Sequence, residues 1–265
     1  MSDAGIEQNF ARSGRFHSYA ATHVGTVRHL NEDAYVNRPD LGLWAVADGA
    51  GGHQSGEVAS AEVAGALQAI DAGLSASQVL IEVRTRLEAV HTRLRAEAMS
   101  RGAGVIVATT VVVLLARGDH FACLWAGDSR AYLLRGQELT EVTRDHSLVQ
   151  ELIDSGTINE AEAAHHPHAN VITRAVGASG ELLDLEKRTG RLITGDRLLL
   201  CSDGLCKTLP KDQLAALLAD AARTGTEHSD AERLIQAALA AQVHDNVTAV
   251  TIYCGIPEAP KHEEE

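Results

Sequence analysis

The stretch Leu41-Gly-Leu-Trp-Ala-Val-Ala-Asp48-Gly-Ala-Gly-Gly-His53 joins an apolar run to an aspartate and then to a glycine-rich loop. The run 41–47 predicts a β-strand, and the end of that strand places Asp48 at a rigid point of the fold. The glycines that follow leave room for a metal ion or a phosphate to approach the backbone. We therefore interpret this stretch as a strand that delivers one carboxylate to a functional site.

Other motifs place an acidic residue beside a glycine or a small polar residue, most of them at the end of an apolar run. They are Arg28-His-Leu-Asn-Glu32-Asp33, Gly127-Asp128-Ser129-Arg130, Cys201-Ser-Asp203-Gly204 and Asp245-Asn-Val-Thr248. Carboxylates gathered from these motifs would repel one another unless cations lay between them. The pattern indicates a hard metal site with oxygen ligands, for which Mg²⁺ and Mn²⁺ are the expected ions.

The bulk composition is that of a single enzyme domain. A chain of 265 residues can bury a sizeable core. Its net charge of −13 argues against a nucleic-acid partner or an anionic membrane. No apolar run approaches the roughly 20 residues of a membrane-spanning helix, and the start of the chain lacks the pattern of a secretory signal. We expect a cytoplasmic protein without a membrane partner.

Apolar periodicity predicts the order of the secondary-structure elements. Strands are predicted at 18–27, 33–37, 41–47, 106–116, 120–126, 130–135, 181–189, 197–202 and 246–254, and helices at 56–70, 76–100, 146–155, 159–164, 210–221 and 229–241. The continuous apolar run from Thr110 to Leu115 is typical of a strand covered on both faces. Two groups of strands with helix pairs between and after them predict an α+β fold, arranged as an α-β-β-α sandwich.

In order and composition, these motifs resemble the metal-dependent serine/threonine protein phosphatases of the PPM, or PP2C, family in their compact bacterial form. The motifs Thr143-Arg-Asp145-His146-Ser147 and Arg174-Ala-Val-Gly177 lie in the expected interval, and the resemblance runs from about Tyr19 to Tyr253. It implies two antiparallel sheets packed face to face, with helices outside and metals in a cleft at one edge. We divide the chain into an N-terminal extension (1–17), a PP2C-like domain (18–254) with a flap insertion at about 143–177, and an acidic C-terminal tail (255–265).

The resemblance also implies a set of metal ligands. It assigns the Asp48 carboxylate as a bridge between two ions, the Gly49 carbonyl, Asp203 and Asp245 as further ligands, and Glu32 and Asp33 as ligands acting through water. A carboxylate can bridge two ions because it has two oxygens, and a water shared by two divalent ions loses its proton near neutral pH. The expected nucleophile is that hydroxide.

Three other residues each have two interpretations. Arg28 has the planar fork that binds a phosphate dianion, but it could also be a surface arginine paired with an aspartate. Asp128 matches a ligand of a third, weaker ion that it would share with Asp203; alternatively it is a turn residue bonding backbone amides near Ser129. His53 is a candidate general acid, because Ala50 stands where many eukaryotic members have a histidine, or it is structural.

The histidines at 165, 166 and 168 also have two interpretations. A zinc site is one, but the spacing is too tight for the usual structural sites and no cysteines accompany the histidines. The other is the flap, because His166-Pro167 and Asn170-Val-Ile-Thr-Arg174 resemble the flap segment of the bacterial enzymes, which covers the cleft. We favour the flap.

The resemblance predicts hydrolysis of phosphoserine and phosphothreonine on proteins, opposing a bacterial kinase of the eukaryotic type. A kinase of a type VI secretion system is one specific possibility. Two alternatives stay open: a catalytically silent regulator that binds a phosphoprotein or a kinase, and a hydrolase of small phosphomonoesters. A silent relative would usually have lost a metal ligand, whereas Asp48, Asp203 and Asp245 are all present.

Overall fold

The computed structural model describes residues 5–51, 55–163, 165–178, 180–224 and 229–256. The strands are β1 Glu7–Ser13, β2 Phe16–His23, β3 Asp33–Arg38, β4 Leu43–Ala50, β5 Ala108–Thr109, β6 Val111–Arg117, β7 His120–Ala126, β8 Arg130–Arg135, β9 Glu138–Glu141, β10 Glu186–Arg191, β11 Arg197–Cys201 and β12 Val247–Cys254. The helices are α1 Ser55–Gln68, α2 Ala76–Arg101, α3 Leu148–Asp154, α4 Glu160–Ala163, α5 Asp203–Cys206, α6 Lys211–Thr224 and α7 Asp230–Ala240.

Two antiparallel sheets form the centre of the molecule. The first sheet has the order β1-β2-β12-β11-β8-β9, and the second has the order β10-β7-β6-β4-β3, with β5 beside β4. Helices α1 and α2 pack on the second sheet, and helices α6 and α7 pack on the first. This arrangement confirms the predicted α-β-β-α sandwich.

Strand β6 shows how the apolar sequence fills both sides of the second sheet. Val111 and Val113 belong to the core that this sheet shares with α1 and α2. Val112 and Leu114 belong to the core between the two sheets, where they meet side chains such as Ile252. Because successive residues of a strand point to opposite faces, a strand buried on both faces needs an unbroken apolar run. The run from Thr110 to Leu115 was correctly predicted to be such a strand.

The first sheet begins earlier in the chain than the sequence predicted. Residues 7–13, which we assigned to an N-terminal extension, form β1 and pair with β2 from Glu7–Thr22 to Ser13–Phe16. Strand β1 is exposed over most of its length, so it carries no alternation of apolar and polar residues that could reveal it. Strand β9 and the one-turn helix α5 were also missed. In the predicted C-terminal tail, residues 257–265 lie outside the described part of the chain.

The segment predicted as a flap is tied to the sandwich at both ends. Near its start the His146 amide donates to the Gly127 carbonyl at 2.9 Å, and near its end Val176 pairs with Thr109 beside β4. Ser147 and Ile172 form an isolated β-bridge within the segment. Helices α3 and α4 lie between these points. Among the described residues, no helix is both long and apolar enough to cross a membrane.

Candidate active site

A polar cleft of about 560 Å³ lies where the ends of strands from the two sheets meet. The residues that line it include Arg28, Glu32, Asp48, Gly49, Asn170, Asp203, Lys207 and Asp245. Most of the site residues predicted from the sequence therefore share one cavity. His53 lies outside the described residues.

The pairing of β3 with β4 brings two carboxylates together. Asp33 and Asp48 are directly opposite each other in the antiparallel register. Like charges in this position destabilise a sheet. Burial raises the pKa of Asp48 well above its usual range, and the charges of Asp33, Asp203 and Asp128 raise it further. The charges of carboxylates from three other motifs thus raise the pKa of the Asp48 side chain.

Asp33 is held by the first sheet although it belongs to the second. Its Oδ2 accepts hydrogen bonds from Ser202 Oγ at 2.8 Å and from Thr248 Oγ1 at 2.7 Å. Its Oδ1 is buried and has no hydrogen-bond partner among the described residues. Burial raises the pKa of Asp33 to about 7, with the two hydroxyls opposing the shift and the charges of Asp203 and Asp245 adding to it. An unpaired carboxylate oxygen beside other carboxylates is a place that a cation would stabilise.

Asp33→Asn is expected to raise thermal stability in EDTA at pH 8 by several °C. The raised pKa means that folding favours the neutral acid, so stability is lost as pH rises from about 4 to about 7, and an amide removes this penalty. The measurement is a melting curve at pH 5 and pH 8. Asp40→Asn is the matched control, because Arg38 lowers the pKa of Asp40 and the change should reduce stability slightly. An unchanged or lower melting temperature of Asp33→Asn at pH 8 would contradict the prediction.

Glu32 connects its motif to the start of helix α1. Burial raises the pKa of its carboxylate, although the nearby charge of Arg28 and the backbone amides of Glu57 and Gly56 favour the ionised form. The backbone is tightly packed here, since a Cβ on Gly56 would lie 2.8 Å from Glu32 Oε1 and a Cβ on Gly49 would lie 2.2 Å from the Gly56 oxygen. Only glycine allows this approach, so the glycines of the motif position both Glu32 and the Gly49 backbone.

Arg28 lies at the open side of the cleft. Its Nη2 donates to Asp245 Oδ2 at 2.9 Å, and both side chains are about half exposed. The hydrogen bond and the charge of Asp245 raise the pKa of Arg28. The two interpretations of Arg28 are therefore compatible, because it pairs with an aspartate and still faces the cavity.

Asn246 is a structural residue of the site that was not predicted from the sequence. It is buried, and its Nδ2 donates to the carbonyls of Val24 at 3.0 Å and Leu30 at 2.9 Å. Its Oδ1 accepts from the backbone amide of Glu32 at 2.8 Å. These bonds hold the loop that carries Arg28 and Glu32 against the start of β12. The sequence feature that could have identified Asn246 is its position inside the Asp245-Asn-Val-Thr248 motif.

Asp128 lies in the turn between β7 and β8 and is only 2% exposed. Its Oδ2 accepts a hydrogen bond from Lys207 Nζ at 2.9 Å, and its Oδ1 has no partner among the described residues. The Asp128 side chain therefore pairs with a lysine. Its Oδ1 accepts no hydrogen bond from the backbone amides near Ser129. Lys207 also bonds Asp203 Oδ2 at 2.7 Å. Burial lowers the pKa of Lys207, but the charges of Asp203 and Asp128 outweigh burial and raise it.

The Thr143–Ser147 motif supports the Asp128 turn. The backbone of His146 donates to the Gly127 carbonyl at 2.9 Å, and the Gly127 amide donates to His146 Nδ1 at 3.2 Å. The His146 ring stacks on Trp125 with their centroids 6.0 Å apart. A Cβ on Gly127 would lie 2.5 Å from Thr110 Cβ, so the turn fits only with glycine at this position. Asp128 is thus held rigidly at the cleft.

The donor set of the cleft fits a hard divalent cation. It consists of carboxylate and carbonyl oxygens, and next to it the buried Asp33 Oδ1 and Asp128 Oδ1 have no partner among the described residues. Lys207 pairs with Asp128 and Asp203, and Arg28 pairs with Asp245. In the described part of the chain, no three Asp, Glu, His or Cys side chains already surround one point. The same result gives no support to a zinc site at residues 165, 166 and 168.

Comparison with known proteins agrees with this geometry. Residues 20–244 match the family described as protein phosphatase 2C. The chain belongs to this family. It is 32% identical to the serine/threonine phosphatase stp of Listeria monocytogenes, over 89% of this chain and 95% of that protein.

Solved structures of the family superpose on most of the chain. PppA, described as a key regulatory component of T6SS in Pseudomonas aeruginosa, is 42% identical, with a TM-score of 0.81 over 90% of this chain and 97% of that one. The catalytic domain of the serine/threonine protein phosphatase PstP, in complex with two manganese ions, is 32% identical, with a TM-score of 0.76 over 95% of this chain. The predicted family and fold are confirmed.

Proposed function

We propose that this chain removes phosphate from phosphoserine and phosphothreonine in proteins, with two Mn²⁺ or Mg²⁺ ions as cofactors. The main support is that Asp48, Asp203 and Asp245 line one cleft of a PP2C-family chain, with the Asp33 carboxylate opposite Asp48 in the β3–β4 register. The family relative PstP has been solved with two manganese ions, and stp is named as a serine/threonine phosphatase. Carboxylates that repel one another in the protein are suited to bind cations.

Each acidic residue has a role in this proposal. Asp48 would bridge the two ions, Asp203, Asp245 and the Gly49 carbonyl would complete their ligands, and Glu32 and Asp33 would hold water molecules around them. When bound, the ions would activate a water molecule and offset the charge of the phosphate. Ser202 and Thr248 orient the Asp33 carboxylate, and Asn246 holds the backbone of Glu32. The protein's contribution is to hold these oxygens in place before substrate arrives.

Arg28 would bind the phosphate of the substrate. Its side chain is 52% exposed, lies on the wall of the cleft and is kept in place by Asp245. A planar guanidinium can donate two parallel hydrogen bonds to a phosphate dianion.

Arg28→Ala is therefore expected to raise KM for a phosphothreonine peptide about tenfold or more, with a smaller loss of kcat, because the arginine binds the ground-state dianion. Steady-state kinetics at saturating Mn²⁺ measures both constants. Arg28→Lys keeps the charge without the fork and should recover only part of the loss. Arg93→Ala, which removes an exposed arginine paired with Glu62 on the helices, is the control and should change neither constant. A loss of kcat at constant KM would instead assign Arg28 to transition-state stabilisation.

The proposed function is tested directly with phosphopeptides. Hydrolysis should disappear after exhaustive chelation and return with Mn²⁺ or Mg²⁺. Full activity without metal would overturn the proposal, and a complete lack of hydrolysis with metal would favour the silent regulator. Peptides containing phosphoserine or phosphothreonine should have a higher kcat/KM than the free phosphoamino acids. A hydrolase of small phosphomonoesters would show the reverse order.

We also propose a setting for the reaction. The substrate would be a protein phosphorylated in the cytoplasm by a serine/threonine kinase of the eukaryotic type, and the similarity to PppA makes type VI secretion a candidate pathway. Phosphoproteomics of cells with and without this protein would identify the sites that accumulate phosphate. His53 remains a candidate general acid, as Ala50 has no titratable group.

A further inference from the structure

Lys207 occupies the place between Asp128 and Asp203. Its Nζ donates to Asp203 Oδ2 at 2.7 Å, to Asp128 Oδ2 at 2.9 Å and, more weakly, to Asn170 Oδ1 at 3.3 Å. From the sequence alone, Asp128 and Asp203 were expected to share a third, weakly bound metal ion. In the structure their negative charges meet the ammonium group of a residue of the same chain.

The local fold holds Lys207 in this position. Asp203 begins the one-turn helix α5, and Lys207 is its C-cap, with the Lys207 amide donating to the Asp203 carbonyl at 2.8 Å. Residues four apart on a helical turn lie on the same face, so the lysine side chain passes over the Asp203 carboxylate. Asp128 is brought to the same point by the rigid turn between β7 and β8.

The burial of Asp128 explains why a cation is needed here. The Asp128 side chain is only 2% exposed, whereas that of Lys207 is 35% exposed. A buried carboxylate without a counterion is strongly destabilising, and one held by a partner is tolerated. A lysine also differs from a free ion because it is covalently part of the chain. Its presence between Asp128 and Asp203 does not depend on the metal concentration.

We propose that Lys207 takes the place of the third metal ion in this protein, so that the site binds two divalent ions and not three. The inference rests on the proposed function, which assigns the two ions to Asp48 and its neighbours. A divalent ion between Asp128 and Asp203 would have to displace the ammonium group or lie against it, and like charges at this distance repel. The Asp203 carboxylate would contact both Lys207 and one of the two proposed metal ions.

The test is the number of Mn²⁺ ions bound by the full chain, measured by equilibrium dialysis and by electron paramagnetic resonance of free Mn²⁺ up to millimolar concentration. We expect two ions for the wild type and two for Asp128→Asn. Lys207→Met, which keeps much of the side-chain length but removes the charge, should gain a third, weaker ion. The double variant Asp128→Asn with Lys207→Met should return to two. Circular dichroism checks that each variant is folded.

The outcomes separate this inference from the proposed function. A wild type that binds three ions, one of which is lost in Asp128→Asn, would overturn the inference while leaving the phosphatase intact. Failure of folded Lys207→Met to gain an ion would also overturn it. If Lys207→Met does not fold, the wild type and Asp128→Asn alone still decide the count. Fewer than two ions in the wild type would instead contradict the proposed two-metal function.

Discussion

Asp48→Asn is expected to lower kcat for a phosphothreonine peptide by about 10³-fold or more, since it removes the charge proposed to bridge two ions. The same change removes one of the opposed carboxylates of the β3–β4 register, where burial and the charges of Asp33, Asp203 and Asp128 raise the pKa of Asp48. Loss of activity should therefore come with an unchanged or higher melting temperature in EDTA. Steady-state kinetics, Mn²⁺ binding and thermal melts measure the three effects.

A suitable control for this change is Asp71→Asn, which neutralises an exposed carboxylate and should leave activity and metal binding unaltered. The combination of lost catalysis and retained stability is what separates a functional carboxylate from a structural one. Retention of wild-type kcat by Asp48→Asn would contradict its proposed bridging role. A large drop in melting temperature in EDTA would show that the charge of Asp48 supports the fold.

Asn246→Ala is expected to reduce the free energy of unfolding by about 3 kcal/mol, because it leaves three partly buried backbone groups without their partner. These groups are the carbonyls of Val24 and Leu30 and the amide of Glu32. At roughly 2–4 °C per kcal/mol for a domain of this size, the melting temperature should fall by about 6–12 °C. Denaturant titration and thermal melts measure the change.

The same variant should also weaken the site, since the loop that Asn246 holds carries Arg28 and Glu32. We expect a higher KM and weaker Mn²⁺ binding in the folded fraction at low temperature. Asn9→Ala, which removes an exposed side chain bonded to Asn37, is the control and should change stability by no more than about 0.5 kcal/mol. A melting temperature of Asn246→Ala within that small range would show that water replaces its hydrogen bonds.

The short motifs and the apolar pattern determined the family, the layer order and most of the candidate ligands. Asp48 could be identified because a continuous apolar run followed by Asp-Gly is a local signal. The predicted strand end at residue 47 was wrong, since β4 continues through Asp48 to Ala50 and pairs there with β5. The burial of β6 on both faces could be predicted because its apolar run is unbroken. Strand β1 could not, because its exposed residues carry no apolar alternation.

Only the tertiary structure decided which charges meet. Asp33 faces Asp48 through the register of β3 and β4, and Lys207 reaches Asp128, 79 residues away in the chain, through the junction of the two sheets. Asn246 bonds carbonyls more than 200 residues away. Such contacts depend on the order of strands in the sheets and on the packing of one sheet against the other. A sequence pattern reports the period and the ends of each element, whereas the partner of a charge at the end of a strand is set by the topology.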